Sequence, residues 1–233
     1  MIIGVPVYND LENLQKMIQS LIASTTEYDK IILVVSDANG KEKIWLDTLP
    51  SKVFEIIHTP KLGPLDAYNR LFEIAKERKE DLFLTQTDVT FPKARGRDWL
   101  AEMEYVAKFE DAGLVTCYGG GGISGRDFMD GFKWVGAWCT YIPYKTIERI
   151  GGYDMKIPLG WGVDIDYSYA VKDAGLICYE INYWVDHHPN YVDNHESEKV
   201  DNIEELKQEA FAYLKNKWKF QIMNDIGMKV ITK

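Results

Sequence analysis

The sequence lacks the spacings that would settle its chemistry at a glance. Its three cysteines, Cys117, Cys139 and Cys178, are far apart and form no CxxC pair. That excludes a zinc cage or a disulfide framework and fits a reducing, cytoplasmic setting. Residues 1–92 contain neither GxGxxG nor GxxxxGK[ST], so nothing there supports a dinucleotide fold or a P-loop. No apolar run approaches the ~20 residues of a membrane span, and MIIGVPVYND turns polar too soon for a signal peptide. Basic charge is in short supply: 27 Lys and Arg against 36 Asp and Glu leave a net charge of −9, which disfavours a nucleic-acid or anionic-membrane surface. There is no internal repeat, linker or low-complexity block.

What is present is apolar and aromatic. A hydrophobic content of 46% over 233 residues is enough for a full core in one domain. Seven Trp and fourteen Tyr are many for this length; they fit core packing, and they also fit sugar rings held against aromatic faces.

The most informative stretch of the first half is Asp81–Pro92, DLFLTQTDVTFP. A short apolar strand, Leu82–Thr85, turns polar at Gln86-Thr87-Asp88. In open α/β sheets ligands bind beyond the carboxyl ends of strands, so Asp88 is either a chemical group or an ordinary turn acid. Before it, Ile2–Val7 reads as a buried strand, and Asn9 with Glu12 resembles a capping box for a helix bearing Leu11, Leu14, Ile18, Leu21 and Ile22. Ile31–Val35 is a second strand ending in the turn Ser36–Gly40, and Val53–His58 is a third. A helix follows over about 65–79. Strands this apolar, alternating with helices, imply a parallel sheet covered on both faces.

In the second half, helices are expected over 97–109 and 201–220, and strands at 113–118, 134–141 and 176–181. The glycines Gly119–Gly122, with Gly125, read as a mobile connector beside the site, since no helix pattern follows to make a phosphate loop. Trp134 and Trp138 fall on one strand face, as core filler or as a sugar platform. The stretch Ile147–Ala174, IERIGGYDMKIPLGWGVDIDYSYAVKDA, places Asp164 and Asp166 at a helix start. Two residues apart is roughly 200° of helical rotation, so the two carboxylates diverge. Each alone could be an N-terminal acid favoured by the helix dipole.

Together these segments resemble the family 2 glycosyltransferases of GT-A fold, over residues 2–190. Val5-Pro6-Val7-Tyr8-Asn9 looks like the family's opening motif, and Ser36–Gly40 like its acidic turn after strand two. Gly63–Asn69 resembles its helix start, and Thr87-Asp88 falls at its Asp-x-Asp motif. Ile150-Gly151-Gly152-Tyr153-Asp154 and Val163-Asp164-Ile165-Asp166 resemble its second diagnostic segment. The sequence departs from the family at three places: Gln86 replaces the first motif acid, Tyr68 an arginine, and Val163 a glutamate.

The resemblance implies an α/β GT-A domain with a mixed, mostly parallel sheet. Residues of about 1–92 would form a nucleotide-binding half, about 93–200 an acceptor-binding half, and 201–233 a C-terminal helix and tail. It implies a donor site of Pro6, Tyr8, Asn9, Asp37, Asn69, Thr87 and Asp88, with an acceptor site of Trp134, Trp138, Trp161 and Asp166. Asp164 becomes the general base. A divalent cation, Mn²⁺ or Mg²⁺, would sit on Asp88 and one histidine of the adjacent pair, His188 ahead of His187, because neighbours on an extended chain point apart. The implied reaction is inverting transfer from a UDP- or dTDP-linked sugar to a glycan or other hydroxyl. Two other classes remain open, a silent sugar- or nucleotide-binding domain and a sugar nucleotidyltransferase; the latter's glycine-rich Arg/Lys signature is missing from Tyr8–Asn13.

Overall fold

The computed structural model of the chain describes residues 1–26, 28–36, 40–60, 63–93, 98–119, 128–129, 132–133, 135–188 and 202–218. Its strands are β1 (Ile2–Tyr8), β2 (Lys30–Ser36), β3 (Phe54–Thr59), β4 (Leu82–Thr85), β5 (Val89–Thr90), β6 (Ala112–Gly119), β7 (Phe128–Met129), β8 (Phe132–Lys133), β9 (Cys139–Ile142) and β10 (Ile177–His187). Its helices are α1 (Leu11–Ser24), α2 (Gly40–Leu46), α3 (Pro64–Arg78), α4 (Trp99–Ala107), α5 (Tyr144–Ile150), α6 (Val163–Asp173) and α7 (Ile203–Trp218).

One eight-stranded sheet runs β3-β2-β1-β4-β9-β6-β10-β5. β3, β2, β1 and β4 pair in parallel, as do β6 and β10. β9 is inserted antiparallel between β4 and β6, and β5 pairs antiparallel with the end of β10. The sheet is therefore mixed and mostly parallel. Strand alternation divides its side chains between two cores. Ile3, Val5 and Val7 of β1 and Phe83 of β4 pack with Leu14, Met17 and Leu21 of α1 and Trp99 and Met103 of α4. Ile2, Leu82 and Leu84 pack on the opposite face with Leu71, Phe72 and Ala75 of α3, Val171 of α6 and Leu214 of α7.

Some local expectations fail. α1 starts at Leu11 with Asp10 as its N-cap and no side-chain cap bond, so the Asn9–Glu12 box does not form. Asp10 turns its carboxylate to a tertiary partner instead. A helix, α2, begins at Gly40, where only a turn was expected, and β10 continues to His187 instead of stopping at Ile181. Most of the glycine run, residues 120–122 with Gly125, lies outside the described residues.

Candidate active site

The carboxyl ends of β1 and β4 lie side by side and carry the first cluster. Half-buried Pro6 and Tyr8 close β1, and Asn9 takes φ 45°, a left-handed conformation that its short amide side chain tolerates. Thr87 Oγ1 donates to Asp10 Oδ2 at 2.6 Å, tying the β4 turn to the β1 loop. The backbone N–H of Asp10 donates to Glu42 Oε1 at 3.3 Å. Burial pushes the Glu42 carboxyl up; that N–H bond opposes the rise, and the Asp10 carboxylate adds to it. Gln86 Nε2 donates to the Tyr68 hydroxyl at 2.6 Å. The two positions where the resemblance led one to expect an acid and an arginine therefore touch, as a neutral amide–phenol pair. Asp37 lies outside the described residues.

Asp88 follows on the turn into β5. Register pairs His187 with Val89 and Asp186 with Thr90, and the His188 N–H donates to the Asp88 carbonyl at 2.8 Å. This brings the His187 ring to the carboxylate, with Nε2 3.4 Å from Asp88 Oδ2. His188 Nε2 lies instead 3.2 Å from Thr90 Oγ1. Trp138 is buried and stacks on the His187 ring, centroids 5.1 Å apart and planes 12° from parallel. It backs the imidazole and offers no open face for a sugar. Asp88 Oδ1 is buried with no hydrogen-bond partner among the described residues. A carboxylate oxygen so placed, beside an imidazole, fits a divalent cation. Among the described residues no group of three or more ligating side chains surrounds such a point, so ligand oxygens would complete the shell.

The second carboxylate sits at the start of α6. A 3₁₀ turn, Pro158–Gly160, leads to Gly162, the N-cap, at φ 87°. A Cβ there would also lie 2.8 Å from Leu214 Cδ1, so geometry and packing both require glycine. Asp164, in the first turn, accepts from the Ile165 N–H at 2.9 Å. Burial raises its pKa from 3.8 to about 6, outweighing that bond and the helix N-terminus, although the residue keeps partial solvent exposure. Tyr153 lies close by; burial, then Tyr68 and Asp164, pushes its phenol well up.

Asn69 holds Tyr153 in place. Its Nδ2 donates to the Tyr153 carbonyl at 3.0 Å and its Oδ1 accepts from the Tyr153 N–H at 2.7 Å. A Cβ on Gly152 would fall 2.2 Å from Asn69 Oδ1, which explains the glycine. With Tyr68 and Tyr153 edge-to-face at 5.5 Å, an aromatic wall runs from Gln86 to Asp164.

Asp166 faces away, as helical rotation requires. It is 4% exposed and takes hydrogen bonds from Lys217 Nζ at 2.9 Å and Trp218 Nε1 at 2.7 Å, so it anchors α7 and does not line the cleft. Lys217 also bonds Asp154 Oδ2 at 2.8 Å, shared with the Tyr213 hydroxyl at 2.8 Å. Against burial, Lys217, the Lys156 N–H and Tyr213 hold the Asp154 carboxyl down to about 2. Trp161 is half-buried under Lys207 Nζ, 4.6 Å from its ring centre. Trp134 lies outside the described residues. Sequence reasoning missed Asp10, Glu42 and Tyr153 as site residues; Asp10, next to the opening motif, and Tyr153, inside the Gly151–Asp154 turn, carried a local signal.

A mostly parallel sheet of this order, with an antiparallel strand inserted after β4, is the GT-A glycosyltransferase fold. Mannosyltransferase PcManGT from Pyrobaculum calidifontis, solved with GDP-Man and Mn²⁺, is similar with a TM-score of 0.62 at 17% identity, over 93% of this chain and 70% of that one. GalNAc-T7, solved with UDP, GalNAc and Mn²⁺, is similar with a TM-score of 0.60 at 14% identity, over 80% of this chain and 43% of that one. No protein-family model matches the chain, and no curated protein matches its sequence.

Proposed function

We propose that the chain is a metal-dependent glycosyltransferase that moves a sugar from a nucleotide-sugar to an acceptor hydroxyl with inversion. The observation that carries the reading is the placement of two unlike carboxylates along one strand-end edge. Asp88 has a buried oxygen with no hydrogen-bond partner among the described residues, beside His187, and Asp164 is a half-buried acid at a helix start. The two solved neighbours, with GDP-Man or UDP and Mn²⁺, support a nucleotide-sugar donor. No helix among the described residues is long and apolar enough to cross a membrane.

Asp88 and His187 would hold the cation, Mn²⁺ or Mg²⁺, with the Trp138 stack fixing the imidazole plane; His188 is committed to Thr90. When bound, the cation supplies positive charge against the leaving diphosphate. Pro6, Tyr8, Asn9 and Asp37 would seat the nucleoside, and Thr87, fixed by Asp10, would shape the turn beneath the diphosphate. Asp164, ionised above pH of about 6, takes the proton of the acceptor hydroxyl. That oxygen attacks the anomeric carbon as the bond to the diphosphate oxygen breaks, and the electron pair leaves with the diphosphate. Asn69 acts through Tyr153, as a positioning residue, and Trp161 lies on the acceptor side of α6. The half before about residue 92 serves the donor and the half after it the acceptor.

The test is release of nucleoside diphosphate from UDP-, dTDP- and GDP-sugars with Mn²⁺. Turnover of one nucleotide class, stopped by a chelator, is expected. A folded protein that releases nothing from any of the three would turn the reading to a silent binding domain.

A further inference from the structure

The spacing of the cysteines excludes a disulfide framework, yet the sheet brings two of them together. β9 pairs antiparallel with β6 through Val115 with Tyr141 and Thr116 with Thr140. One step further in that register sets Cys117 opposite Cys139, and Thr116 Oγ1 donates to the Cys139 carbonyl at 2.8 Å, closing the strands at that step. Both cysteine side chains leave the sheet on one face, into the core that holds Met103, Trp138 and Tyr183. The Cys117 thiol donates to Met103 Sδ at 3.9 Å. Burial pushes that thiol well up, and a hydrogen bond with the Cys139 thiol adds to the rise, which puts the two sulfurs in contact. Cys178 stands apart: β10 turns it to the opposite face, against the core that holds Val171 of α6.

We propose that Cys117 and Cys139 are an oxidation site, a pair that closes to a disulfide across β6 and β9 without rearranging the backbone. Directly opposed antiparallel residues have Cα atoms about 4.5 or 5.5 Å apart, and disulfides span Cα separations of about 4.4–6.8 Å, so either kind of pair accommodates the bond. One thiolate attacks a sulfur of glutathione disulfide and expels one glutathione; the second attacks the resulting mixed disulfide and expels the other. The two electrons reduce the glutathione disulfide, and the two thiol protons end on the two glutathiones. At 2% and 0% exposure neither sulfur meets an oxidant in the folded sheet, so exchange proceeds as the chain folds or opens. The bond ties β6 to β9 one residue from Trp138, the ring behind His187, and so braces the candidate cation site without using its ligands. None of this depends on the transferase reading.

For the test, reduced protein is held in a buffer of oxidised and reduced glutathione just below its thermal midpoint, where opening is frequent. It is then quenched with iodoacetamide, digested and mapped by mass spectrometry. A peptide pair linked through Cys117 and Cys139 is expected, with Cys178 alkylated. The linked protein should melt roughly 5–10 °C above the reduced form, because the bond closes a loop on the order of 20 residues in the unfolded chain, and dithiothreitol should abolish the rise. Cys178→Ala should keep the rise and Cys139→Ala should lose it. Cys117 and Cys139 recovered unlinked, a bond that includes Cys178, or a linked protein that melts no higher than the reduced one overturns the pair.

Discussion

Replacing Asp164 by Asn separates what the site needs from what the fold would prefer. The folded protein holds the Asp164 proton more tightly than the unfolded chain does, since burial lifts the group from 3.8 to about 6. The stability this contributes is fully present below pH 3.8 and is lost as pH rises through about 6. At neutral pH the folded chain therefore carries a half-buried charge that costs up to about 3 kcal/mol, less whatever the partial exposure of the residue relieves. Asparagine removes the ionisation, and its side-chain oxygen still accepts from the Ile165 N–H. Asp164→Asn should melt higher than wild type at pH 7.5, by roughly 5–10 °C at most, with the gap closing toward pH 4. Transfer should fall by about 10²–10⁴-fold, and the wild-type rate should rise with pH around a midpoint near 6. Melting curves across pH, read beside the transfer rate, make the assay. A variant that melts at or below the wild type at every pH, or that transfers sugar at the wild-type rate, would refute the reasoning.

Removing the Tyr68 hydroxyl with Tyr68→Phe should cost about 1–2 kcal/mol by orphaning Gln86 Nε2, while Gln86→Ala/Tyr68→Phe together should cost less than the two singly; denaturant titration of the cycle measures it. Lys217→Met leaves Asp166 buried with only the Trp218 indole, so it should lower stability by about 1–3 kcal/mol, with Lys217→Arg recovering most of it in the same titration. His187→Ala should weaken Mn²⁺ dependence about 10–100-fold, and His188→Ala by far less, as read from the Mn²⁺ concentration at half-maximal turnover.

Much of the first half of the chain was legible because its strands are continuous apolar runs ended by polar turns; β1, β2 and β4 fall within a residue or two of their expected bounds. The divergence of Asp164 and Asp166 followed from helical rotation alone, and Lys217 with Trp218 supplies the partner that rotation could not name. Pairing between distant segments was not legible. β9 enters the sheet antiparallel between β4 and β6, and only that insertion puts Trp138 behind His187. The choice between His187 and His188 likewise depends on β10 running on to pair with β5, a two-residue strand too short to carry a pattern. The contact between Gln86 and Tyr68 joins residues 18 apart in sequence, so two positions read separately as departures from a resemblance became one hydrogen-bonded pair only in three dimensions.

The central claim is that Asp88 holds a cation against a nucleotide-sugar. The measurement that tests it most directly is the thermal midpoint with UDP, dTDP or GDP, each with and without Mn²⁺, in wild type and Asp88→Ala. Only a ligand that favours the native state raises that midpoint, so no knowledge of the acceptor is needed. The account predicts a rise with one nucleotide that grows with Mn²⁺ and vanishes in Asp88→Ala. A rise that ignores Mn²⁺ or survives the substitution would contradict it.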